Sequence, residues 1–255
     1  MRRGSLKTRL LIGLAIAAFF AIRYCNQREV NQYTGRMQAI SITTEQEIAI
    51  GLQSAPQMAQ QHGGLYPNNQ YQAFVDQVGN KLVKSSLAAE TPYKYEFHLL
   101  ADRKTINAFA LPGGQIFITY ALFSQLENED QLAGVLGHEI GHILGRHSAE
   151  RIAETEFWQG MATAGSVSAD VGGIVQQYAQ GKLLINGRGD ELESDELGVM
   201  FMIDAGYNPE EMIGVMEILK KAAGPNRVPE FQSTHPDPEN RIEKIREAIK
   251  EYRGF

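Results

Sequence analysis

Residues 138–142 read His-Glu-Ile-Gly-His, and their types and spacing can support metal-dependent hydrolysis. On an α-helix, His138 and His142 lie one turn apart and about 40° apart around the axis. Two imidazoles in that arrangement can bind a single metal ion. Glu139 points away from the pair, where it can act on a water molecule bound to the metal. The motif therefore predicts a catalytic metal site with Glu139 as its general base.

The residues around this motif predict the helix that the site needs. Apolar side chains recur at spacings of 3, 4 and 7 residues, which is typical of an amphipathic helix. These side chains are Leu132, Val135, Leu136, Ile140, Ile143 and Leu144. Gly134, Gly137 and Gly141 in the same stretch each lower helix propensity by roughly 1 kcal/mol relative to alanine. A helix that keeps three such glycines is expected to pack closely against another element.

A catalytic zinc ion takes three protein ligands and leaves one position for water, so a third ligand is required. In the pattern HExxHxxGxxH the third histidine would stand at the position of Ser148, and His147 comes one residue early. On a continuous helix His147 would lie about 180° from His138. We therefore predict that His147 is not a ligand and that a glutamate from a later helix is.

Residues 191–195 read Glu-Leu-Glu-Ser-Asp and offer that glutamate. Glu191 and Asp195 lie one helical turn apart on one face, whereas Glu193 points away by about 200°. Glu191 is the predicted third metal ligand, and Asp195 is predicted to orient a ligand histidine by accepting its hydrogen bond. The alternative is an acidic helix face exposed to solvent, and the upstream histidine motif favours the metal site.

A small sheet is predicted before the helix that carries the motif. Residues 93–99 alternate between apolar and polar types, which indicates a half-buried strand with His98 on its exposed face. Two further short strands are predicted at 106–110 and 115–119, joined by a turn at 112–114. Helices are predicted to begin near Thr44, near Tyr71, near Glu191, at Asn208-Pro209 and at Asp237-Pro238.

Four segments of the chain, in the right order, resemble the HtpX and CAAX-prenyl-protease family of zinc metalloendopeptidases. They are HEIGH at 138–142, ELESDELG at 191–198, NAFALPGG at 107–114, and STHP at 233–236 with Glu239 and Arg241 after it. The likeness covers about residues 40–251. The chain departs from the family where the more usual Glu-Ala-Asp reads Glu193-Ser194-Asp195. It is most similar to compact bacterial members, which are associated with the cell envelope.

The resemblance implies a fold, a cofactor and a role for His235. The expected fold is a mostly helical, zincin-type metallopeptidase domain of the α+β class, with a small sheet next to the active-site helix. One Zn²⁺ per chain is expected on His138, His142 and Glu191. The resemblance places the loop of His235 near the metal, where this residue would stabilise the oxyanion of the reaction. The alternative is a loop histidine that packs beside Pro236.

The segment that resembles the family's strand before the active-site helix is a candidate substrate site. Its residues Asn107, Ala108, Phe109 and Ala110 are expected to bind a substrate strand through backbone hydrogen bonds. Such pairing uses backbone hydrogen bonds, which most residue types can form, so the expected sequence selectivity is weak.

The N-terminal region of the chain is basic and contains an apolar run, whereas the rest is acidic. Residues 1–36 carry a net charge of +6 and the remainder carries −12, which indicates membrane contact through the N-terminal region and no nucleic-acid partner. Residues 10–22 are an uncharged apolar run. We predict a basic segment at 1–9, a signal anchor at 10–24, a linker at 25–42 and a metallopeptidase domain at 43–255.

Two alternatives to a retained anchor remain open at this stage. A cleaved signal peptide needs small residues after the apolar run, and the sequence at 21–25 fits this poorly. Lipidation would use Cys25, which follows the bulky residues Arg23 and Tyr24. With a retained anchor, the basic N-terminus is expected in the cytoplasm and the catalytic domain in the periplasm. Residues 148–182 are rich in small residues and are predicted to form a loosely packed helical excursion, either mobile or facing the membrane.

The combined features predict a zinc endopeptidase of the bacterial envelope that acts on polypeptides, in particular misfolded or unassembled ones. One alternative is a membrane-tethered chaperone or binding protein on a peptidase scaffold, which the presence of Glu139 disfavours. A second is a structural metal site, which usually closes its coordination with a fourth protein ligand. The sequence does not predict the native substrate or the oligomeric state.

Overall fold

The computed structural model describes residues 5–169, 171–222, 235 and 240–254. The strands in that part of the chain are β1 (Arg28–Val30), β2 (Met37–Ala39), β3 (Glu96–Leu100), β4 (Ala108–Leu111) and β5 (Gln115–Thr119). The helices are α1 (Leu6–Asn26), α2 (Thr44–Gln61), α3 (Asn69–Lys84), α4 (Tyr120–Phe123), α5 (Glu129–Leu144), α6 (His147–Ala169), α7 (Gly172–Asp204), α8 (Glu211–Ala222) and a C-terminal helix (Arg241–Tyr252). A short 3-10 helix spans Leu87–Glu90. The predicted mostly helical α+β class is confirmed.

The chain divides into two compact units. The first unit combines residues 1–43 with 148–186, and the second combines residues 44–147 with 187–255. The first unit therefore holds α1, the antiparallel pair β1–β2, nearly all of α6 and the first part of α7. The segment that was predicted as a polar linker thus contains two short strands. The second unit holds the remaining elements.

The three-stranded sheet of the second unit has the order β3-β5-β4. Strand β5 is its centre and is buried along its whole length, parallel to β3 and antiparallel to β4. Gly113 has φ +82° in the β4–β5 turn, a left-handed conformation that glycine adopts without strain. Strand β4 is an edge of this sheet.

Helix α5 is the buried centre of the second unit. Asn128 caps it by accepting a hydrogen bond from the Gln131 backbone N–H at 2.9 Å, and acidic residues occupy its first turn, as the helix dipole favours. Apolar residues on almost every side of α5 are buried. Where α5 meets α7, a Cβ atom added to Gly141 would lie 2.9 Å from the Ser194 carbonyl oxygen. The close packing expected from the glycines is therefore present.

Most of the predicted elements occur, with shifted ends. The prediction that a helix begins near Glu191 was wrong, because Glu191 lies within α7, which begins at Gly172. The helix expected near Thr44 begins there, and the strand expected at 93–99 is Glu96–Leu100. His98 on that strand is half-buried, and its Nε2 lies 2.8 Å from Gln115 Oε1. The start predicted for the last helix, at Asp237-Pro238, lies outside the described residues, and this helix is described from Arg241 onward.

Candidate metal centre

Two helices of the second unit bring together the residues that the sequence singled out. His138 and His142 lie one turn apart on α5, and Glu191 lies on α7. The two histidine Nε2 atoms are 3.0 Å apart, and Glu191 oxygens lie 3.4 Å from His138 Nε2 and 3.3 Å from His142 Nε2. His235 joins them, so that each of the four residues offers one donor atom within 4.8 Å of the others.

These donor separations fit a tetrahedral metal ion. Ligand atoms at ~2.0–2.1 Å from a tetrahedral zinc ion lie roughly 3.3–3.4 Å from one another. The Glu191 side chain is only 2% exposed, and its Oε2 has no hydrogen-bond partner among the described residues. A buried carboxylate oxygen normally has such a partner. Imidazole nitrogens with one carboxylate also form the donor set that suits zinc.

His138 is held by a buried ion pair behind it. Its Nδ1 donates a hydrogen bond to Asp195 Oδ1 at 2.8 Å, and Arg241 donates to both Asp195 oxygens from Nε at 2.5 Å and from Nη2 at 2.9 Å. Donation from Nδ1 leaves the Nε2 lone pair facing the cluster, as a metal ligand requires. The structure places Asp195 where the sequence predicted it, and adds Arg241 as the group that orients Asp195.

The carboxylates around His138 favour positive charge at this position. Burial raises the pKa of Asp195, but Arg241 and His138 outweigh it and hold that pKa below its usual value. Burial lowers the pKa of His138, yet Asp195 and Glu191 raise it to about 9. A metal cation at His138 Nε2 would use the same negative charge and compete with a proton there. Burial holds the pKa of His142 well below its usual value, so this ring is neutral.

His142 has a different partner on its outer nitrogen, namely His147. The Nδ1 atoms of the two rings are 2.8 Å apart, and His147 Nε2 lies 2.7 Å from Glu193 Oε2. A carboxylate only accepts, so His147 donates to Glu193 from Nε2, and its Nδ1 accepts from His142 Nδ1. His142 therefore also keeps its Nε2 lone pair for the cluster.

The end of helix α5 and a turn after it bring His147 to this position. Helix α5 ends at Leu144, and Arg146 has φ +55°, a left-handed conformation that is uncommon for residues other than glycine. Arg146 donates to Glu47 Oε1 from Nε at 2.9 Å and from Nη2 at 2.5 Å, which holds the turn in place. The angle of about 180° predicted for His147 assumed a continuous helix. That assumption was wrong, although His147 still lies outside the four-residue group.

Glu139 is completely buried, and neither of its carboxylate oxygens has a hydrogen-bond partner among the described residues. Its nearest basic neighbour is His235, whose Nε2 lies 3.6 Å from Glu139 Oε1. Burial raises the pKa of Glu139. A carboxylate that points at no protein donor can accept a proton from a water molecule or a substrate group in the site.

His235 contacts both the cluster and the predicted substrate strand. Its Nδ1 lies 3.1 Å from Glu191 Oε1 and 3.4 Å from His138 Nε2, and its Nε2 donates to the Ala108 carbonyl oxygen at 3.2 Å. A carbonyl oxygen only accepts, so Nε2 carries a proton, and Nδ1 is the atom that faces the cluster, where it can donate to Glu191 or, without a proton, bind a metal ion. The alternative of packing beside Pro236 concerns a residue outside the described part of the chain.

The predicted substrate residues lie on strand β4 and immediately before it. Asn107, Ala108 and Phe109 are buried, and Ala110 is half-buried. Among the described residues, strand β4 pairs only with β5 and is an edge of its sheet. The contact between Ala108 and His235 shows that this edge reaches the cluster.

Sequence reasoning missed three contributors to the site: the His147–Glu193 pair, Arg241 as the partner of Asp195, and the Arg146–Glu47 pair. The signal for the first was Gly145 before His147, since glycine is common where helices end. The two residues of each pair are 46 to 99 residues apart along the chain, so no short sequence pattern indicated that they would meet.

Two histidines of one buried helix, a glutamate of a second helix and a small sheet beside them define the zincin-type class of metallopeptidase domains. The model of Peptidase family M48 matches residues 69–249, and the chain belongs to this family. The resemblance stated from the sequence is thereby confirmed.

Curated relatives of the chain are similar over most of its length. The mitochondrial metalloendopeptidase OMA1 of Schizosaccharomyces pombe is 34% identical over 181 residues, which are 70% of this chain and 53% of that protein. The beta-barrel assembly-enhancing protease of Escherichia coli K12 is 30% identical over 194 residues, 71% of this chain and 39% of that protein. A putative protease of the same description from Vibrio cholerae is 30% identical over 264 residues, 96% of this chain and 53% of that protein. The chain spans about half the length of the curated relatives it matches.

Proposed function

We propose that this chain is a zinc-dependent endopeptidase that cleaves polypeptides of the cell envelope, with one zinc ion held by His138, His142 and Glu191. One observation carries the proposal. Donor atoms of these three side chains lie 3.0–3.4 Å apart, beside a buried Glu139 whose oxygens have no hydrogen-bond partner among the described residues. Membership of a peptidase family and the protease names of the relatives support it.

The protein's contribution begins with the orientation of the ligands. Zinc, when bound, would supply a Lewis acid that polarises the scissile carbonyl and makes a water molecule more acidic. Asp195, held by Arg241, fixes the ring of His138, and His147 fixes the ring of His142. Rings held in this way need no reorientation when the metal binds, which strengthens the site.

Glu139 is the proposed proton carrier of the reaction. It accepts a proton as water attacks the peptide carbonyl, and it delivers that proton to the leaving amine. Burial raises the pKa of its carboxyl group, which makes the carboxylate a stronger base than an exposed glutamate. The protonated form is then the acid that the second half of the reaction needs.

Strand β4, an edge of its sheet among the described residues, is the proposed substrate site. An extended polypeptide can add to a sheet edge through backbone hydrogen bonds, and β4 is such an edge beside the cluster. Recognition of this kind requires a segment that is not already folded. We therefore propose misfolded or unassembled polypeptides as substrates, and the names of the bacterial relatives support the envelope as their location.

Helix α1 is the proposed membrane anchor. Among the described residues, only α1 is long and apolar enough to cross a membrane by length and composition. The basic residues before it and in its first turn favour a cytoplasmic N-terminus, which would place the second unit in the periplasm. The division of the chain at residues 9, 24 and 42 stays a prediction.

His235 can give the metal site a second, closed state by acting as a fourth ligand. Its Nδ1 faces the donor atoms of the cluster, so without a proton on this atom His235 can be a fourth ligand that closes the position needed for water. Stabilising an oxyanion through Nδ1 while bonded to Ala108 would instead require the protonated ring. We propose that the described conformation is a closed, resting site from which His235 must move before cleavage.

The central test compares wild-type protein with Glu139→Gln. Metal analysis should find about one zinc ion per chain in both proteins. The variant should cleave unfolded casein at least ~100-fold more slowly, because general acid–base groups contribute ~10²–10⁴ in rate. Equal cleavage by metal-loaded, contaminant-free proteins would refute the mechanism. Zinc without cleavage in either protein would favour the chaperone or structural-metal alternatives.

A further inference from the structure

Helix α1 lies beside the second half of α6 in the first unit. Near the C-terminal end of α1, Arg23 Nη2 lies 2.6 Å from Glu156 Oε2. Near its N-terminal end, Arg9 Nε donates to the Val167 carbonyl oxygen at 3.0 Å. The two helices are therefore antiparallel neighbours over most of the length of α1, and the end of α6 lies level with the first half of α1.

The contact between these helices is of the close kind that small residues permit. A Cβ atom added to Gly13 would lie 2.6 Å from Ser168 Cβ, and one added to Gly160 would lie 2.1 Å from the Phe20 ring. Gly160, Ala164 and Ser168 stand four residues apart on α6, the spacing at which small residues pack helices together in membranes. The Ser168 hydroxyl donates to the Ala164 carbonyl oxygen at 2.8 Å, so it needs no water.

Helix α7 then returns along α6. The Val171 N–H donates to the Gly165 carbonyl oxygen at 3.3 Å, and the rings of Trp158 and Tyr178 are 5.5 Å apart between their centroids. We call the described residues 157–169 and 171–181 the hairpin. Ser168, near the end of α6, lies level with Gly13, because a Cβ atom added to Gly13 would approach it to 2.6 Å.

The hairpin is nearly free of charge and exposes large apolar side chains. Asp170 is the only charged residue from 157 to 181. Ile174 is 70% exposed and Tyr178 is 57% exposed, in the same unit as the apolar surface of α1. Apolar surface of this extent on a water-soluble unit would be unfavourable.

We propose that the hairpin enters the lipid bilayer beside α1 and that lipid acyl chains cover Ile174 and Tyr178. The inference rests on the proposed role of α1 as a membrane anchor and extends it to a second, separate part of the chain. Each arm of the hairpin has 10 to 13 residues, and a helix rises ~1.5 Å per residue, which gives a reach of roughly 15–20 Å. That reach equals about half or more of a ~30 Å hydrocarbon layer.

Tryptophan fluorescence of the full chain in vesicles tests this proposal. Trp158 is the only tryptophan, and in a Trp158→Phe background single probes are introduced by Leu14→Trp in α1, Ile174→Trp in the hairpin and Leu65→Trp in the second unit. Leu65 is 58% exposed and serves as the matched control. The vesicles contain phosphatidylcholine and phosphatidylglycerol, with and without brominated acyl chains, which quench tryptophan on contact.

We expect the bromolipids to quench the probes at 14 and 174 at least threefold more strongly than the probe at 65. Quenching at 14 with none at 174 would overturn the hairpin proposal alone, whereas quenching at neither would overturn the anchor as well. Protection of the probe at 174 from both bromolipid and aqueous acrylamide would mean that protein covers it, such as a second copy of the chain, and would also overturn the proposal. Tyr178→Trp repeats the test with an aromatic exchange if Ile174→Trp fails to fold.

Discussion

At the scale of single residues, each histidine of the 138–142 motif has its own partner on the outer ring nitrogen. His138 donates to a carboxylate, that of Asp195, whereas His142 donates to a second imidazole, that of His147. Glu193 completes the second chain of hydrogen bonds by accepting from His147. We therefore regard His147 as a positioning residue, which acts on the metal site through His142.

Removing the His147 ring should weaken zinc binding without unfolding the protein. His147→Ala leaves the His142 Nδ1–H without its acceptor, and loss of such a partner costs ~10–100-fold in metal affinity. His147→Gln keeps an acceptor for His142 and a donor for Glu193, so it should retain most of the affinity. Competition with a chelator of known affinity measures zinc binding, and the melting temperatures of the metal-free proteins control for folding. Equal zinc affinity in all three proteins would show that His147 has only a packing role.

The cleavage rate of a His235→Ala variant distinguishes two roles for His235, that of a fourth metal ligand and that of an oxyanion-stabilising group. If His235 closes the site as a fourth ligand, His235→Ala should keep zinc on the other three ligands and cleave casein faster than wild type. If it stabilises the oxyanion, the same variant should keep zinc and cleave more slowly, typically by ~10²–10³-fold. We expect the increase, because Nδ1 faces the donor atoms of the cluster while Nε2 donates to Ala108. Initial rates at matched zinc content separate the two outcomes.

At the scale of elements, the distance between α5 and α7 sets the geometry of the site. His142 and Glu191 come from these two helices, and their donor atoms are 3.3 Å apart. Gly141, next to His142, allows the approach, because a Cβ atom there would lie 3.0 Å from Ser194 Cα. Backbone atoms cannot move aside as the end of a flexible side chain can. The glycine that weakens the helix locally is thus needed for the ligand set.

Exchange of single glycines for alanine on α5 should have opposite effects at two positions. Gly141→Ala should separate α5 from α7, lower the melting temperature and weaken zinc binding. Gly134→Ala should be neutral or stabilise the protein by up to ~1 kcal/mol, because alanine favours the helix. At Gly134 the nearest atom to an added Cβ is Met212 Cα at 3.5 Å, an ordinary contact. Thermal unfolding and zinc titration of both variants provide the comparison, and a harmless Gly141→Ala would contradict the role of this contact.

At the scale of the whole molecule, the proposed anchor α1 decides on which side of the membrane the rest of the chain lies. A reporter enzyme that is active only outside the cytoplasm, fused after Phe255, should be active, and alkaline carbonate should leave the protein in the membrane fraction. The reason is the basic segment at residues 1–9, which is expected to stay in the cytoplasm. A soluble mature form that begins near residue 24 would instead indicate signal-peptide cleavage. Lipid label on Cys25 would indicate a lipoprotein, with Cys25→Ser as its control.

The 138–142 motif could be interpreted from the sequence alone because its spacing is local. The two histidines are four residues apart, and the apolar residues around them recur with the period of a helix. Helix α5 and its pair of imidazoles could therefore be predicted from this short stretch of sequence. The same reasoning selected Glu191 and Asp195 on one face of a later helix. The family resemblance, confirmed by the match over residues 69–249, added the expected fold and directed attention to His235.

Which of these side chains meet, and which groups hold them, depends on the packing of distant elements. Glu191 is 49 to 53 residues away from the histidines along the chain, and its approach depends on the packing of α7 against Gly141. His147 reaches His142 because the chain turns at Arg146, and Glu47 stabilises that turn from 99 residues away. Helix periodicity carries information over one or two turns, whereas these contacts arise from the packing of separate elements. For that reason the ligand motif could be read from the sequence, but the groups that orient it could not.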